Sequence, residues 1–99
     1  MDAQALLLRE LQGSVGFFLQ YSNLDATSRG YGLTVDATKD LRIASIAATG
    51  FTLSGWVIAA ERGFIPRQQA LDITRGTLRT LLHHVPHHRG FFAHFLNMT

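Results

Sequence analysis

The sequence predicts an all-α fold: helical hairpins in one domain over residues 1–99, interrupted by a single long loop. Three stretches carry that reading. Apolar residues recur at helical spacing near the N-terminus, an uncharged alanine-rich run occupies the middle, and a second amphipathic stretch follows between two prolines. Two half-wet helices flanking one that is apolar all round suit concentric helix layers, with the inner helix covered on every side.

The first helix is expected over about 3–21. Leu8, Leu11, Val15, Phe18 and Leu19 form its apolar stripe. Asp2 is placed to cap it by accepting backbone N–H bonds. Gly13 and Gly16 weaken it and suggest close approach of another element.

Residues 22–42 show no helical period. Asn23, Asp25, Ser28, Gly30 and Gly32 are turn formers. Tyr31, Leu33 and Val35 alternate with small or polar residues, which predicts a short extended stretch. A loop of this length in a compact domain is usually functional or disordered.

The second helix is expected over about 43–62. Ala44 to Ala60 contains no charged residue, and only Ser and Thr relieve its apolar character. Such a helix is buried all round or lies in a membrane. Its length is marginal for a bilayer. Ser45, Thr49, Thr52 and Ser54 dilute it, and aromatic anchors are missing from its ends, so no membrane span is expected. Self-association through this helix is a possible outcome of its apolar surface. Gly63 supplies a left-handed stop.

The third helix is expected over about 66–85. Pro66 suits the first helical position and Pro86 ends the run. Leu71, Thr74, Leu78, Leu81, Leu82 and Val85 form its stripe, with Arg67, Arg75, Arg79 and His83 mostly off it. An aromatic run closes the chain.

Composition excludes several functions. There are no cysteines, so disulfides and thiolate metal sites are absent. The nine cations are spread along the chain and do not predict a nucleic-acid groove. Arg9 and Glu10 interrupt the N-terminal apolar run too early for a signal peptide. The histidines His83, His84, His87, His88 and His94 are dense, but Pro86 splits the helix that would align His83 with His87. No Glu stands between them, so neither a HExxH zinc site nor any other specific metal site is expected.

Five segments, in order, carry a resemblance: Gly-Tyr-Gly-Leu-Thr-Val-Asp (30–36), Ala-Ser-Ile-Ala-Ala-Thr-Gly-Phe (44–51), Glu-Arg-Gly-Phe-Ile (61–65), Thr-Leu-Arg (77–79) and Arg-Gly-Phe-Phe-Ala-His-Phe-Leu-Asn-Met (89–98). Over about 70 residues the chain resembles the bacterial glucoamylase-like domain family, which includes endo-β-1,2-glucanases. The resemblance implies an (α/α)6 barrel around a sugar cleft, of which this chain would be an N-terminal fragment. It implies a glycoside hydrolase acting on β-glucan, with no cofactor, among exported or periplasmic relatives. Three positions depart from the family pattern. Ala37 follows Asp36 where the family has arginine, and Ala93 and Asn97 replace a tyrosine and an aspartate.

Glycoside hydrolysis usually needs two carboxyl groups, one donating a proton and one activating water or attacking the sugar. Asp2 reads as a cap, Glu10 and Asp72 lie on wet helical faces, and Glu61 ends a helix beside Arg62. Asp36 and Asp40, on the long loop, remain as cleft acids, with Asp36 the catalytic candidate. Turn residues bonding their own backbone are the competing reading of both. Tyr31, Phe91, Phe92 and His94 are the candidate sugar contacts. Trp56 is assigned to the core. The expected role is scaffold and cleft wall, inactive alone, with the catalytic acids elsewhere in a longer protein. The alternative is a non-catalytic helical interaction module completed by a partner chain or a second copy.

Overall fold

A computed structural model describes residues 2–99, and within them the fold is mostly helical with two small antiparallel sheets. The elements run α1 (Ala3–Tyr21), β1 (Ile43–Ser45), α2 (Ile46–Glu61), α3 (Arg67–His83), β2 (His87–His88), β3 (Phe91–Phe92) and β4 (Phe95–Asn97). The expectation of a purely helical chain is therefore corrected at residues 43–45 and again at 87–97.

Helix ends follow local chemistry. Asp2 Oδ1 accepts a 2.7 Å bond from the Ala5 N–H, as expected of a cap. Ser45 caps α2 the same way, its Oγ accepting from Ala48 N at 3.0 Å. Because Ser45 is extended, the helix starts at Ile46 and Ile43–Ser45 is free to pair as a strand. Gly63 adopts φ +73 just past α2, the left-handed stop expected there. Pro66 sits at the cap position before α3, and the helix ends at His83, short of Val85.

α2 packs against both α1 and α3. One core cluster joins them through Val15, Trp56, Ala59, Ile65, Ala70 and Ile73, with Phe18, Leu19 and Phe64 around it. Trp56 is fully buried and meets Phe18 edge to face at 6.5 Å. Its indole N–H has no hydrogen-bond partner among the described residues. A second cluster of Leu33, Ala44 and Val85 gathers Leu81, Phe92, Leu96 and Met98. It ties the loop to the C-terminal strands.

Three burial expectations are corrected. α2 is not covered on every side: Phe51 and Val57 are 72% and 67% exposed, and Ile58 is also exposed. Among the described residues no helix is long and apolar enough to cross a membrane. On α3 the expected stripe splits: Leu81 and Val85 pack inward, Leu71, Leu78 and Leu82 are exposed, and Ala70, Ile73, Gly76, Thr77 and Thr80 form the buried face instead. Gly13 and Gly16 face open space on α1, and among the described residues no element packs against them.

The buried face of α3 has a physical cause. Segment 22–42 lies on that face, and its backbone carbonyls need donors. Thr80 Oγ1 donates to the Tyr31 carbonyl at 2.6 Å, and the single hydrogen of Thr77 Oγ1 is shared between the Ile73 carbonyl of its own helix at 2.9 Å and the Gly32 carbonyl at 3.3 Å. The Tyr31 ring lies directly over Gly76, where a Cβ would collide with it. Leucines could neither donate nor leave that room.

α2 anchors the loop from the other side. Thr49 Oγ1 accepts from Thr34 N at 3.0 Å, and Thr34 Oγ1 donates to Thr52 Oγ1 at 2.8 Å. Ser22 and Thr34 share a further hydroxyl bond of 2.8 Å. Isolated bridges pair Ser22 with Thr34 and Val35 with Ala44, so the expected extended stretch forms. The loop is thus held by buried hydroxyls on both flanking helices.

The C-terminal segment closes onto this frame. β4 pairs antiparallel with β1, placing Phe95 opposite Ser45 and Asn97 opposite Ile43. Asn23 Nδ2 donates to the Met98 carbonyl at 2.9 Å, and Gly30 approaches the same carbonyl too closely for any side chain. β2 and β3 form a hairpin turned by Arg89 and Gly90, both at positive φ. Two successive left-handed residues are what a tight two-residue hairpin requires.

Candidate functional site

The β1–β4 pairing brings the 36–43 loop beside β4. Phe95, 58% exposed, stands between two hollows there. The smaller, about 220 Å³, is lined by Asp36, Ala37, Lys39, Asp40, Ile43 and Phe95. The larger, about 670 Å³, runs from Asp40, Leu41 and Arg42 past Phe95 to Asn97, Met98 and Thr99.

Asp36 and Asp40 share the smaller hollow but differ in state. Asp40 is clamped by Arg42: Nε donates to Oδ1 and Nη2 to Oδ2, both at 3.0 Å. The Arg42 backbone N–H adds a third bond to Oδ1 at 3.0 Å. These bonds hold the Asp40 carboxyl down to about 2, so it stays ionised at neutral pH. It is an acceptor and not a proton donor. Asp40 also matches the turn-residue reading, since it bonds its own backbone two residues on.

Asp36 is different. Its backbone N–H donates to the Ile43 carbonyl at 3.0 Å, which fixes its position. Its side chain is exposed, and no hydrogen bond to it occurs among the described residues. Asp36 also borders an apolar groove of about 490 Å³ between α1 and α2, beside Val15, Phe18, Phe51 and Ile58.

The remaining candidates separate into three places. His94 lies at the Phe95 site: its ring meets the Phe95 ring edge to face at 4.4 Å, and its carbonyl accepts from Ile46 N at 2.9 Å. Phe91 and Phe92 are on the β2–β3 hairpin, where they line a hollow of about 550 Å³ with Pro86, His87, His88 and Arg89. Phe91 is 79% exposed, whereas Phe92 packs on the Leu33–Val85 cluster and meets His87 edge to face. Tyr31 sits on α3. Burial pushes its phenol up, and the carboxylate of Asp72 adds to that. It borders neither Phe95 hollow.

Two residues at the Phe95 site were not anticipated. Phe95 belongs to the aromatic motif, one position after His94. Arg42 was visible only as the second member of an Asp-x-Arg pair. Among the described residues no group of three metal-ligating side chains converges, and Asp40–Arg42 is the one ion pair. The arrangement can therefore stack one face of a ring on Phe95 and bond polar groups through Asp36, Asp40, Arg42 and Lys39.

No family model matches the chain, and neither the curated proteins nor the solved structures contain a match to it. The class that fold and site define is a mostly helical domain with a shallow aromatic and charged cleft on a small sheet.

Proposed function

We propose that the domain is scaffold and cleft wall of a glucoamylase-like glycoside hydrolase acting on β-glucan. In this reading its helices belong to an (α/α)6 barrel. The observation that carries it is the exposed Phe95 ring flanked by hollows that hold Asp36, Asp40 and Arg42. Sugar rings pack their C–H faces on aromatic rings, while their hydroxyls seek charged or amide partners. The five ordered motifs support the family, and the β-1,2 linkage rests on that resemblance alone.

The carboxylates bear on catalysis. Hydrolysis calls for one protonated and one ionised carboxyl. Asp40, held ionised by Arg42, does not serve as the acid. That leaves Asp36 as the free carboxylate of the hollow, without a second to complete a pair. The expected behaviour is binding without turnover.

Calorimetric titration with β-1,2-gluco-oligosaccharides, paired with a reducing-sugar assay, tests the reading. Binding that Phe95→Ala weakens, with no sugar released, supports it. Absence of binding at millimolar ligand rejects it, and clear turnover rejects the role of inactive wall. Trp56 fluorescence is a poor reporter, because the indole lies in the core.

A second reading is favoured by one observation. The exposed Phe51, Val57 and Ile58 on α2 suit an interaction module completed by another helix or a second copy.

A further inference from the structure

Charge is divided unevenly along the chain. All seven acidic residues lie at or before Asp72, while Arg75, Arg79, Arg89 and all five histidines lie beyond it. The β2–β3 hairpin gathers part of this acid-free segment at one exposed tip. His87, His88 and Arg89 are exposed there, and Phe91 is 79% exposed. Across the strands His88 faces Phe91 and His87 faces Phe92. The ion pair Asp40–Arg42 is the only one among the described residues, so no carboxylate neutralises Arg89.

The hydrogen-bonding inventory of this tip is one-sided. A guanidinium donates and never accepts, and an imidazole accepts through one nitrogen at most. Neutral sugar hydroxyls want acceptors as well as donors, which the Phe95 hollow provides in Asp36 and Asp40. The hairpin supplies no carboxylate. It is suited to a group rich in acceptor oxygens, where charge-assisted bonds are strongest. Phe91 beside it offers a ring face of the kind a sugar packs on.

Resting on the saccharide reading above, we infer that the hairpin is a second subsite, for a sugar unit bearing an anionic substituent such as a carboxylate or a phosphate. Arg89 and the imidazoles of His87 and His88 bond the anionic group, and Phe91 carries the sugar's apolar face. The natural polymer is then an acidic or acid-substituted glucan.

The test compares neutral and carboxymethylated β-1,2-gluco-oligosaccharides by calorimetry, with polyacrylate as a polyanion that is not a sugar. The carboxymethylated ligand should bind about tenfold tighter, the order expected of one charge-assisted contact. Arg89→Asn should abolish that preference. Asparagine tolerates the left-handed backbone at this position, so the turn is kept, and circular dichroism verifies the fold. Phe91→Ala should weaken the carboxymethylated sugar more than the neutral one, whereas Phe95→Ala should weaken both alike. Equal affinity for the two sugars overturns the inference and leaves the saccharide reading standing. Polyacrylate binding as tightly as the charged sugar overturns it too, as charge attraction alone. Failure of both sugars to bind overturns both readings.

Discussion

The hydroxyl of Thr80 on α3 donates a 2.6 Å hydrogen bond to the backbone carbonyl of Tyr31, joining a helix to a loop 49 residues earlier. Thr80 is 2% exposed, so water is poorly placed to replace the bond. Thr80→Val preserves shape but leaves the carbonyl unpaired. The expected cost is about 1–3 kcal/mol, read from urea unfolding midpoints. Thr80→Ser keeps the hydroxyl and should lose less. Equal losses in the two variants would show that the methyl group's packing, and not the hydrogen bond, matters at this position.

Gly76 allows a prediction of opposite sign to helix propensity. Exchanging an exposed mid-helix glycine for alanine ordinarily gains about 1 kcal/mol. Here the added Cβ would strike the Tyr31 ring. Overpacking of this kind costs about 1–3 kcal/mol. Gly76→Ala should therefore destabilise the fold, and combining it with Tyr31→Ala should recover part of the loss. A thermal melt in which Gly76→Ala alone raises Tm would contradict the placement of Tyr31 on α3.

The Asp40–Arg42 pair predicts a particular acid dependence. Its folded carboxyl lies at about 2, below the ordinary 3.8. A depressed carboxyl contributes stability that is complete above the unfolded value and fades as pH falls towards the folded one. The contribution should be present at pH 5 and decline between about 3.8 and 2. The pair is exposed, so the effect is small and shrinks with salt. Melting curves of Arg42→Gln and the parent should differ at pH 5 and converge near pH 2. A constant gap across that range would assign the effect to packing of the arginine stem.

Much of the helical frame was legible because its signals are local. Asp2, Gly63, Pro66 and Pro86 mark ends through backbone chemistry that neighbouring residues determine. The buried face of α3 was not legible. A stripe of leucines normally points inward, and Leu81 does, but Thr80 is recruited by the Tyr31 carbonyl of a loop far away in sequence and Thr77 lies against Gly32 of the same loop. The strands were hidden for a similar reason. Ile43–Ser45 continues an apolar helix pattern, and its extended form depends on pairing with Phe95–Asn97. At the site, the loop position singled out Asp36 and Asp40. Phe95 emerged only once β4 was a strand with its ring beside that loop, and Arg42 only once its guanidinium was seen gripping Asp40. The proposed sugar contacts read as one motif, yet Phe92 turns to the core while Phe91 and His94 stay exposed. Strand pairing, and not motif membership, divides them.

The outer face of α2 supports a last prediction. Phe51 and Val57 are exposed on a helix whose body, from Ile46 to Ala60, has no charge to oppose self-contact. Phe51 also lines the apolar groove against α1, so one surface carries both a protruding ring and a hollow. Such a surface can meet a second copy of itself, since a two-fold pairing sets the same patch against itself. In isolation the chain should therefore self-associate as concentration rises, measured by light scattering. Replacing Phe51 and Val57 together by glutamine should yield a monomer, with each exposed site changing stability by no more than about 0.5 kcal/mol. Both proteins should give the same calorimetric response to oligosaccharide, because Phe51 and Val57 line neither Phe95 hollow. A parent chain that stays monomeric at every concentration would argue against the interaction-module reading. Loss of saccharide binding on dispersal would instead tie the cleft to the paired form.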